Sequence, residues 1–205
     1  MTTRVIDMNM WDEQYAGKEY AYGTEPNSFL VERALKEPRG RVLSIAEGEG
    51  RNAVWLASQG LDVTSFDQST VGVTKTLKLA LHRSVVVHAF KDDMTTFEIE
   101  PNSYDMIVSI FAHAGSDIRR GLHQRVTNGL RRGGVVILEA YTPDQIPFGT
   151  GGPKDPDLMP TAVDLRTEFP GLVFEYLEEL ERDVVEGTLH TGRAAVVQMV
   201  ARKPL

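Results

Sequence analysis

Residues 41–57 have the sequence RVLSIAEGEGRNAVWLA, an apolar run, then a glycine-rich turn, then a run with helical spacing. Residues 48–53 (GEGRNA) match the pattern G-x-G-x-x-G/A, which joins a strand to a helix where backbone must approach a ligand closely. Asp67 ends the next apolar run, at roughly the 20-residue distance where an acid bonds ribose hydroxyls. This stretch predicts a site for an adenosine cofactor.

Outward from this stretch, strand-type and helix-type runs alternate. The strand-type runs occupy residues 41–46, 62–66, 84–90, 104–110 and 135–140. The helical runs occupy residues 52–57, 70–81 and 117–131. Strands apolar on both faces and separated by helices are typical of a parallel sheet.

The last third of the chain breaks this alternation. Two β-type runs, at residues 172–177 and 192–200, are joined by a short turn region, which predicts an antiparallel pair. We therefore expect an α/β fold with a Rossmann-like, mostly parallel seven-stranded sheet, flanked by helices and ending in an antiparallel hairpin.

The 205 residues predict a single domain over residues 1–205. Within it we expect a helical cap at residues 1–38, a cofactor-binding core at 39–142, a lid loop and helix at 143–170, and the hairpin at 171–205. The lid is rich in Gly and Pro, and long loops at this edge of a parallel sheet are usually functional.

Composition and charge disfavour several classes of binding partner. The formal net charge of −7 and the lack of a basic stripe disfavour nucleic acid. No apolar run approaches the roughly 20 residues that cross a bilayer, and residues 1–7 lack the apolar segment of a secretory signal. With no cysteine and five histidines at spacings that no zinc motif uses, we predict no disulfide and no metal. We expect a cytoplasmic protein, monomeric or homodimeric, that acts on a small molecule without membrane or nucleic-acid partners.

The acids of the glycine loop bear on the cofactor. Glu47 and Glu49 flank Gly48, and two carboxylates disfavour the pyrophosphate of NAD or FAD. S-adenosyl-L-methionine (SAM) carries a sulfonium cation and no phosphate, so it is favoured. Three hypotheses stay open: a SAM-dependent methyltransferase, an NAD-dependent oxidoreductase, and a non-catalytic SAM-binding protein.

The sequence also resembles a known family. Residues 42–52 (VLSIAEGEGRN) resemble the first motif of class I SAM-dependent methyltransferases, and the nearest branch is the bacterial tellurite-resistance and thiopurine-type small-molecule enzymes. The similarity continues through WD (11–12), YGTEPN (22–27), SIFAH (109–113), EAYTP (139–143), GTGGP (149–153) and HTGR (190–193). Three positions depart from the family pattern: Ser44 replaces its strand acid, Ala46 its first loop glycine and Glu47 its common cysteine.

The resemblance implies which residues bind SAM. Gly48 and Gly50 would let the backbone approach the methionine part and the ribose, Asp67 would bond the ribose hydroxyls, and Gln68 would lie beside the adenosine. Asp93, or Asp92 if the alignment slips by one, would meet the adenine amino group. The full predicted set is Ala46, Glu47, Gly48, Gly50, Asn52, Asp67, Gln68, Asp93, Met94, Ser109 and Phe111.

Methyl transfer from a sulfonium is a direct displacement that requires alignment and exclusion of water. His113, after the fourth strand, is the predicted base or substrate-orienting group, and Tyr141, after the fifth, the predicted hydrogen-bonding partner of the substrate. A thiolate or a reduced chalcogen oxyanion needs positioning more than a base, whereas a neutral O or N acceptor needs a base.

The predicted substrate-binding residues are Tyr22, Arg119, His190 and Arg193. Tyr22 would form a flap over the cofactor together with Trp11 and Tyr20. Arg119, His190 and Arg193 would form a cationic pocket for an anionic substrate.

Overall fold

A computed structural model describes residues 8–37, 39–187 and 190–205. Within these residues one seven-stranded sheet has the order β3-β2-β1-β4-β5-β7-β6. The strands are Arg41–Ile45 (β1), Asp62–Asp67 (β2), His88–Lys91 (β3), Tyr104–Ile110 (β4), Leu130–Tyr141 (β5), Val173–Glu186 (β6) and His190–Arg202 (β7). The first five are parallel, and β7 runs antiparallel between β5 and β6. The predicted fold and its terminal antiparallel hairpin are confirmed.

Helices cover both faces of the sheet. They are Met8–Tyr15 (α1), Ser28–Ala34 (α2), Arg51–Ser58 (α3), Thr70–His82 (α4), Ser116–Gly129 (α5) and Ala162–Glu168 (α6), with 3-10 turns at Pro143–Phe148 and Pro156–Leu158. Local chemistry sets their starts: the Ser69 hydroxyl accepts the backbone N–H of Gly72 at α4, and Thr161 and Asp164 form a capping box at α6.

Two cores lie on either side of the sheet. On β1, Val42 packs into the core that α2, α3 and α4 cover, whereas Leu43 and Ile45 pack into the core beneath α5 and α6. Because both faces are buried, this strand is a continuous apolar run in the sequence.

Several boundaries differ from the prediction: β5 begins at Leu130 rather than at residue 135, β6 extends to Glu186 rather than to residue 177, and β7 spans His190–Arg202 rather than 192–200. The third strand is His88–Lys91 rather than 84–90, because residues 84–87 leave α4 through a turn in which Ser84 has φ of 58°. The helix predicted to reach residue 131 ends at Gly129, and Leu130 already pairs with Tyr104.

The predicted segments are covered unevenly. Residues 1–7 and 38 of the predicted cap, and residues 188–189 of the predicted hairpin, lie outside the described residues. In the part of the chain that the structure describes, no helix is long and apolar enough to cross a membrane.

Candidate active site

A cavity of about 370 Å³ opens at the carboxyl ends of β1, β2 and β4. The strand order reverses between β1 and β4, and ligands of open α/β sheets bind at such a switch point. Trp11 and Tyr15 of α1 cover it from one side, and Pro153 and Leu158 of the lid from another. The predicted site residues that line it are Tyr22, Ala46, Glu47, Gly48, Asn52, Asp67, Gln68, Asp93, Met94, Phe111, His113 and His190.

The two central strands end in unusual backbone conformations beside this cavity. Ala46 follows β1 with φ of 47°, and Phe111 follows β4 with φ of 54°. A positive φ is uncommon for residues other than glycine, and such strain clusters at functional sites. It also accounts for the glycine that the resembled family has at the position of Ala46.

Gly48 makes a close approach possible. Its φ is 66°, and a Cβ there would stand 2.8 Å from the Tyr15 hydroxyl. The cap therefore covers the loop directly, with the hydroxyl of Tyr15 above bare backbone.

The Glu47 side chain accepts hydrogen bonds both from the start of α3 and from β1. One carboxylate oxygen accepts the backbone N–H groups of Asn52 (2.8 Å) and Ala53 (2.9 Å), and the other accepts the Ser44 hydroxyl. Burial raises the pKa of Glu47, while these hydrogen bonds oppose the shift. The loop acid thus contacts Ser44, the position where the resembled family has its strand acid.

Asp67 faces the cavity from the end of β2. Its two carboxylate oxygens accept the backbone N–H groups of Gly48 and Ser69, each at 2.8 Å. Burial raises its pKa. Since a carboxylate oxygen has two lone pairs, each can still accept a hydroxyl from a ligand.

Glu49 is neutralised within the protein. Its carboxylate accepts Lys75 Nζ at 2.7 Å and the backbone N–H of Ala21 at 2.7 Å. This contact ties the cap to α4, so Glu49 holds the walls of the cavity together.

Asp92 and Asp93 both line the cavity after β3. One oxygen of Asp92 accepts the backbone N–H of Asp93 (2.7 Å), and one oxygen of Asp93 accepts the backbone N–H of Thr95 (2.7 Å). Each carboxylate keeps its other oxygen, so the geometry leaves both as candidates.

The His113 side chain is uncharged and already hydrogen-bonded within the protein. Its Nε2 accepts the backbone N–H of Tyr141 at 3.2 Å, and the ring also hydrogen-bonds the backbone of Phe111. Burial, with His190 nearby, lowers the pKa of His113 to about 3. The prediction that His113 acts as a general base therefore meets a structural obstacle, because its basic nitrogen is already in use.

An aromatic chamber, formed by Tyr22, Phe111, His113 and His190, closes the end of the cavity next to β4. The His190 ring lies 4.4 Å from Tyr22 and 5.0 Å from Phe111, centroid to centroid. Burial and Arg51 lower the pKa of His190 to about 3, so both histidines are uncharged at neutral pH. The chamber is therefore aromatic and neutral.

The cationic pocket predicted from the sequence is not assembled. Arg119 is buried against Glu168, with its Nε at 3.0 and 3.1 Å from the two carboxylate oxygens, and Arg193 is half-exposed and pairs with Glu181 at 3.1 Å. Neither lines the cavity with His190. Each arginine is paired with a carboxylate outside the cavity lining.

Three other predicted residues lie behind the cavity wall. Tyr141 stacks on His113 with ring centroids 5.5 Å apart and is buried. Ser109 is buried within β4, and a Cβ on Gly50 would meet Thr76 of α4 at 2.7 Å. Gly50 thus allows α4 to pack closely, whereas the prediction assigned it to the ligand.

Sequence reasoning did not place Arg51, Tyr15 and Leu158 in the site, although all three line the cavity. Arg51 lies within the glycine motif itself, which was a usable signal, while Tyr15 and Leu158 lie in the predicted cap and the predicted Gly- and Pro-rich lid, where nothing in the pattern singled out these two residues. Among the described residues no group of His, Cys, Asp or Glu is placed to hold a metal ion.

Comparison with known proteins gives one family match. Residues 42–134 match the family model described as a methyltransferase domain. No curated protein matches the chain in sequence.

Solved structures share the fold at low sequence identity. One, titled for the conversion of a disulfide bond into a thioacetal group during echinomycin biosynthesis, is 19% identical over 96% of this chain and 92% of its own, with a TM-score of 0.76. TehB from Haemophilus influenzae is 18% identical over 96% of this chain and 66% of its own, with a TM-score of 0.72. A SAM-dependent methyltransferase from Clostridium acetobutylicum is 12% identical over 86% and 90%, with a TM-score of 0.65.

Proposed function

Because the domain match and the fold support a SAM-dependent methyltransferase with SAM as its cofactor, we propose that this chain methylates a small, soft acceptor, first of all a thiol. Its resemblance to the bacterial tellurite-resistance and thiopurine-type branch supports a small-molecule acceptor. The aromatic lining of the chamber agrees with such a molecule.

The cavity fits the cofactor. Asp67 would accept the ribose hydroxyls, and Asp93 or Asp92 would accept the adenine amino group beside Met94. The carboxylate of Glu47 provides negative charge near the position of the missing strand acid, as the amino group of the methionine part requires. When bound, SAM supplies a methyl group on a sulfonium.

The neutral chamber is the observation that carries the acceptor proposal. A useful general base has a pKa near the working pH, and the pKa values of His113 and His190 are about 3. Burial also raises the pKa of Tyr22 to about 12. This favours an acceptor that loses its proton without a protein base, and thiols, which ionise near pH 8.5, are partly thiolate at neutral pH.

The reaction balances without a protein intermediate. The thiol proton leaves to solvent, the thiolate forms an S–C bond with the methyl carbon, and the C–S bond of the sulfonium breaks to give S-adenosylhomocysteine. Phe111, Tyr22 and Leu158 would exclude water and hold the acceptor in line.

A chalcogen oxyanion is the second acceptor class. Arg51, which also pairs with Glu186, is the one arginine among the described residues that line the cavity, because Arg119 and Arg193 lie outside the lining. The NAD-dependent oxidoreductase and the non-catalytic SAM-binding protein remain as alternatives that binding and turnover distinguish.

The first experiment is a calorimetric titration of the purified protein with SAM, S-adenosylhomocysteine and NADH. We expect binding of the two adenosyl ligands and none of NADH. Binding of NADH alone would replace the proposal with the oxidoreductase. SAM binding without turnover on thiols, selenite, tellurite, phenols or amines would favour the non-catalytic protein.

A second experiment tests the acceptor. The pH dependence of kcat/KM is measured with an alkyl thiol and with a more acidic aromatic thiol. We expect the inflection to move with the ionisation of the thiol used. An inflection that stays at one pH for both thiols would show a protein base and contradict the proposal.

A further inference from the structure

Arg51 has an unused buried donor in the cavity wall. It is the first residue of α3, and 9% of its side chain is exposed. Its Nη2 donates to Glu186 Oε2 at 2.6 Å, whereas its buried Nη1 has no hydrogen-bond partner among the described residues. Buried polar groups without partners are rare in native proteins, and a bound ligand is one way of satisfying them.

The charges around the cavity make this donor distinctive. Arg51 is the one Lys or Arg among the described residues that line it, facing the acids Glu47, Glu49, Asp67, Asp92 and Asp93. Both lining histidines are neutral at pH 7. A ligand with a negative group has one place at which that group meets a formal positive charge.

We propose that Arg51 binds the carboxylate of the cofactor's methionine part through Nη1. The proposal rests on the proposed function, because it takes SAM as the ligand. Guanidinium groups favour carboxylates, and Arg51 starts a helix, where the free N–H groups also favour an anion.

Glu186 holds Arg51 in position. Its carboxylate is buried and also accepts Asn27 Nδ2 at 2.8 Å and Arg182 Nη2 at 3.5 Å. With Nη2 fixed by Glu186, the Arg51 side chain has little rotamer freedom left to lose when Nη1 binds a ligand. This lowers the entropy cost of binding.

The test compares ligands that differ only in the carboxylate. Calorimetry measures the affinities of SAM and of decarboxylated SAM for the wild type and for Arg51→Gln. We expect the wild type to prefer SAM by about 10- to 100-fold, the range for a buried charged hydrogen bond. In Arg51→Gln we expect this preference to fall to near one, with the affinity for decarboxylated SAM unchanged.

Two variants guard against misinterpretation. Arg51→Gln removes the closer of the two arginines that pair with Glu186, so the double variant Arg51→Gln/Glu186→Gln is measured as well and should show the same loss of preference. Arg120→Gln changes an exposed arginine that pairs with Asp117, and it should keep the wild-type preference.

The outcomes separate the two proposals. A full preference for SAM in Arg51→Gln and in the double variant would overturn the assignment, and a raised KM for an anionic acceptor alongside it would give Arg51 to the acceptor instead. If neither adenosyl ligand bound the wild type, the proposed function itself would fail.

Discussion

Ser44 of β1 and Glu47 of the glycine loop are hydrogen-bonded at the position where the resembled family has its strand acid. β1 has a hydroxyl at Ser44, and Glu47, three residues later, extends back to accept it. The sequence analysis identified both positions as departures from the family pattern, and the structure shows how the acid is held: two backbone N–H groups of α3 donate to Glu47. The carboxylate is thereby fixed at a helix N-terminus, where negative charge is stabilised.

Asp67 gives a prediction for cofactor binding. We expect Asp67→Asn to weaken S-adenosylhomocysteine binding by about 10-fold or more, because an amide oxygen accepts hydroxyls less strongly than a carboxylate. The amide nitrogen would also face the backbone N–H of Gly48 or Ser69. Calorimetry measures the change, with Asp62→Asn at the exposed end of β2 as control. Unchanged affinity in Asp67→Asn would contradict this placement of the cofactor.

His190 gives a prediction for pH. Its pKa is about 3 in the folded protein and about 6.5 unfolded, so the unfolded state binds more protons between these values, and stability falls as the pH decreases through this range. Between pH 7 and pH 5 we expect His190 to cost about 2 kcal/mol, or a Tm decrease of about 4–8 °C. His190→Gln should lose less stability than the wild type in thermal melts at the two pH values. The exposed His88→Gln should behave as the wild type, and equal acid sensitivity in all three proteins would refute the assignment.

Among the elements, α4 sets the shape of the glycine loop. A Cβ on Gly72 would stand 2.7 Å from the carbonyl oxygen of Gly48, so backbone meets backbone there. We expect Gly72→Ala to displace the loop, reducing S-adenosylhomocysteine affinity about tenfold and stability by about 1–3 kcal/mol.

Gly121→Ala in α5 is the matched control for Gly72→Ala. Its Cβ would meet only Arg125 Nη1, at 3.7 Å, so we expect a gain of roughly 0.5–1 kcal/mol from helix propensity. Titration and denaturant unfolding measure both variants. Normal binding by Gly72→Ala would show that the loop tolerates the displacement.

The bounds predicted from the sequence were accurate for three strands buried on both faces and inaccurate for the edge strand β3. β1, β2 and β4 are covered on both faces, so their apolar runs coincide with the strands. β3 lies at the sheet edge and is half-exposed, and the apolar run before it belongs to the turn after α4. Apolar composition could not separate the two.

At the scale of the whole molecule, a buried polar network joins distant segments. Asn27, the N-cap of α2, donates to Glu139 of β5 at 2.5 Å and to Glu186 of β6 at 2.8 Å, and its Oδ1 caps Leu30. Arg182 closes the network with two hydrogen bonds to Glu139. One hydrogen-bonded network of polar and charged side chains therefore links the cap, the central sheet and the hairpin.

Removing the centre of this network should be costly. We expect Asn27→Ala to lose about 3 kcal/mol, because it removes a helix cap and one donor from each of two buried carboxylates. For a chain of this size that corresponds to a Tm decrease of about 6–12 °C. Asn128→Ala, on an exposed face of α5, is the control. A Tm decrease as small as that of the control would show that the network contributes little.

The sequence predicted those residues of the candidate site that belong to a local motif or follow a strand end. It did not predict arrangements that depend on tertiary contacts. The loop, Asp67 and the residues after β3 and β4 follow from strand ends, which share one edge of the sheet. The pairing of Arg119 with Glu168 depends on how α5 meets α6, and the pairing of Arg193 with Glu181 on the register of the hairpin. Neither is encoded in local spacing, so the expected cationic pocket had no basis in the fold.

Among the described residues of the cavity lining there is one arginine and no lysine, and this charge balance bears on how ligands would be exchanged under the proposed function. Besides Glu49, which Lys75 neutralises, the lining has four carboxylates and one guanidinium, and it attracts a sulfonium ion more strongly than the uncharged thioether that replaces it. Loss of the methyl group therefore removes part of the attraction that filled the site. Under the proposed function such an arrangement favours product release over retention, and it links the sign of the local field to the direction in which the protein exchanges its ligands.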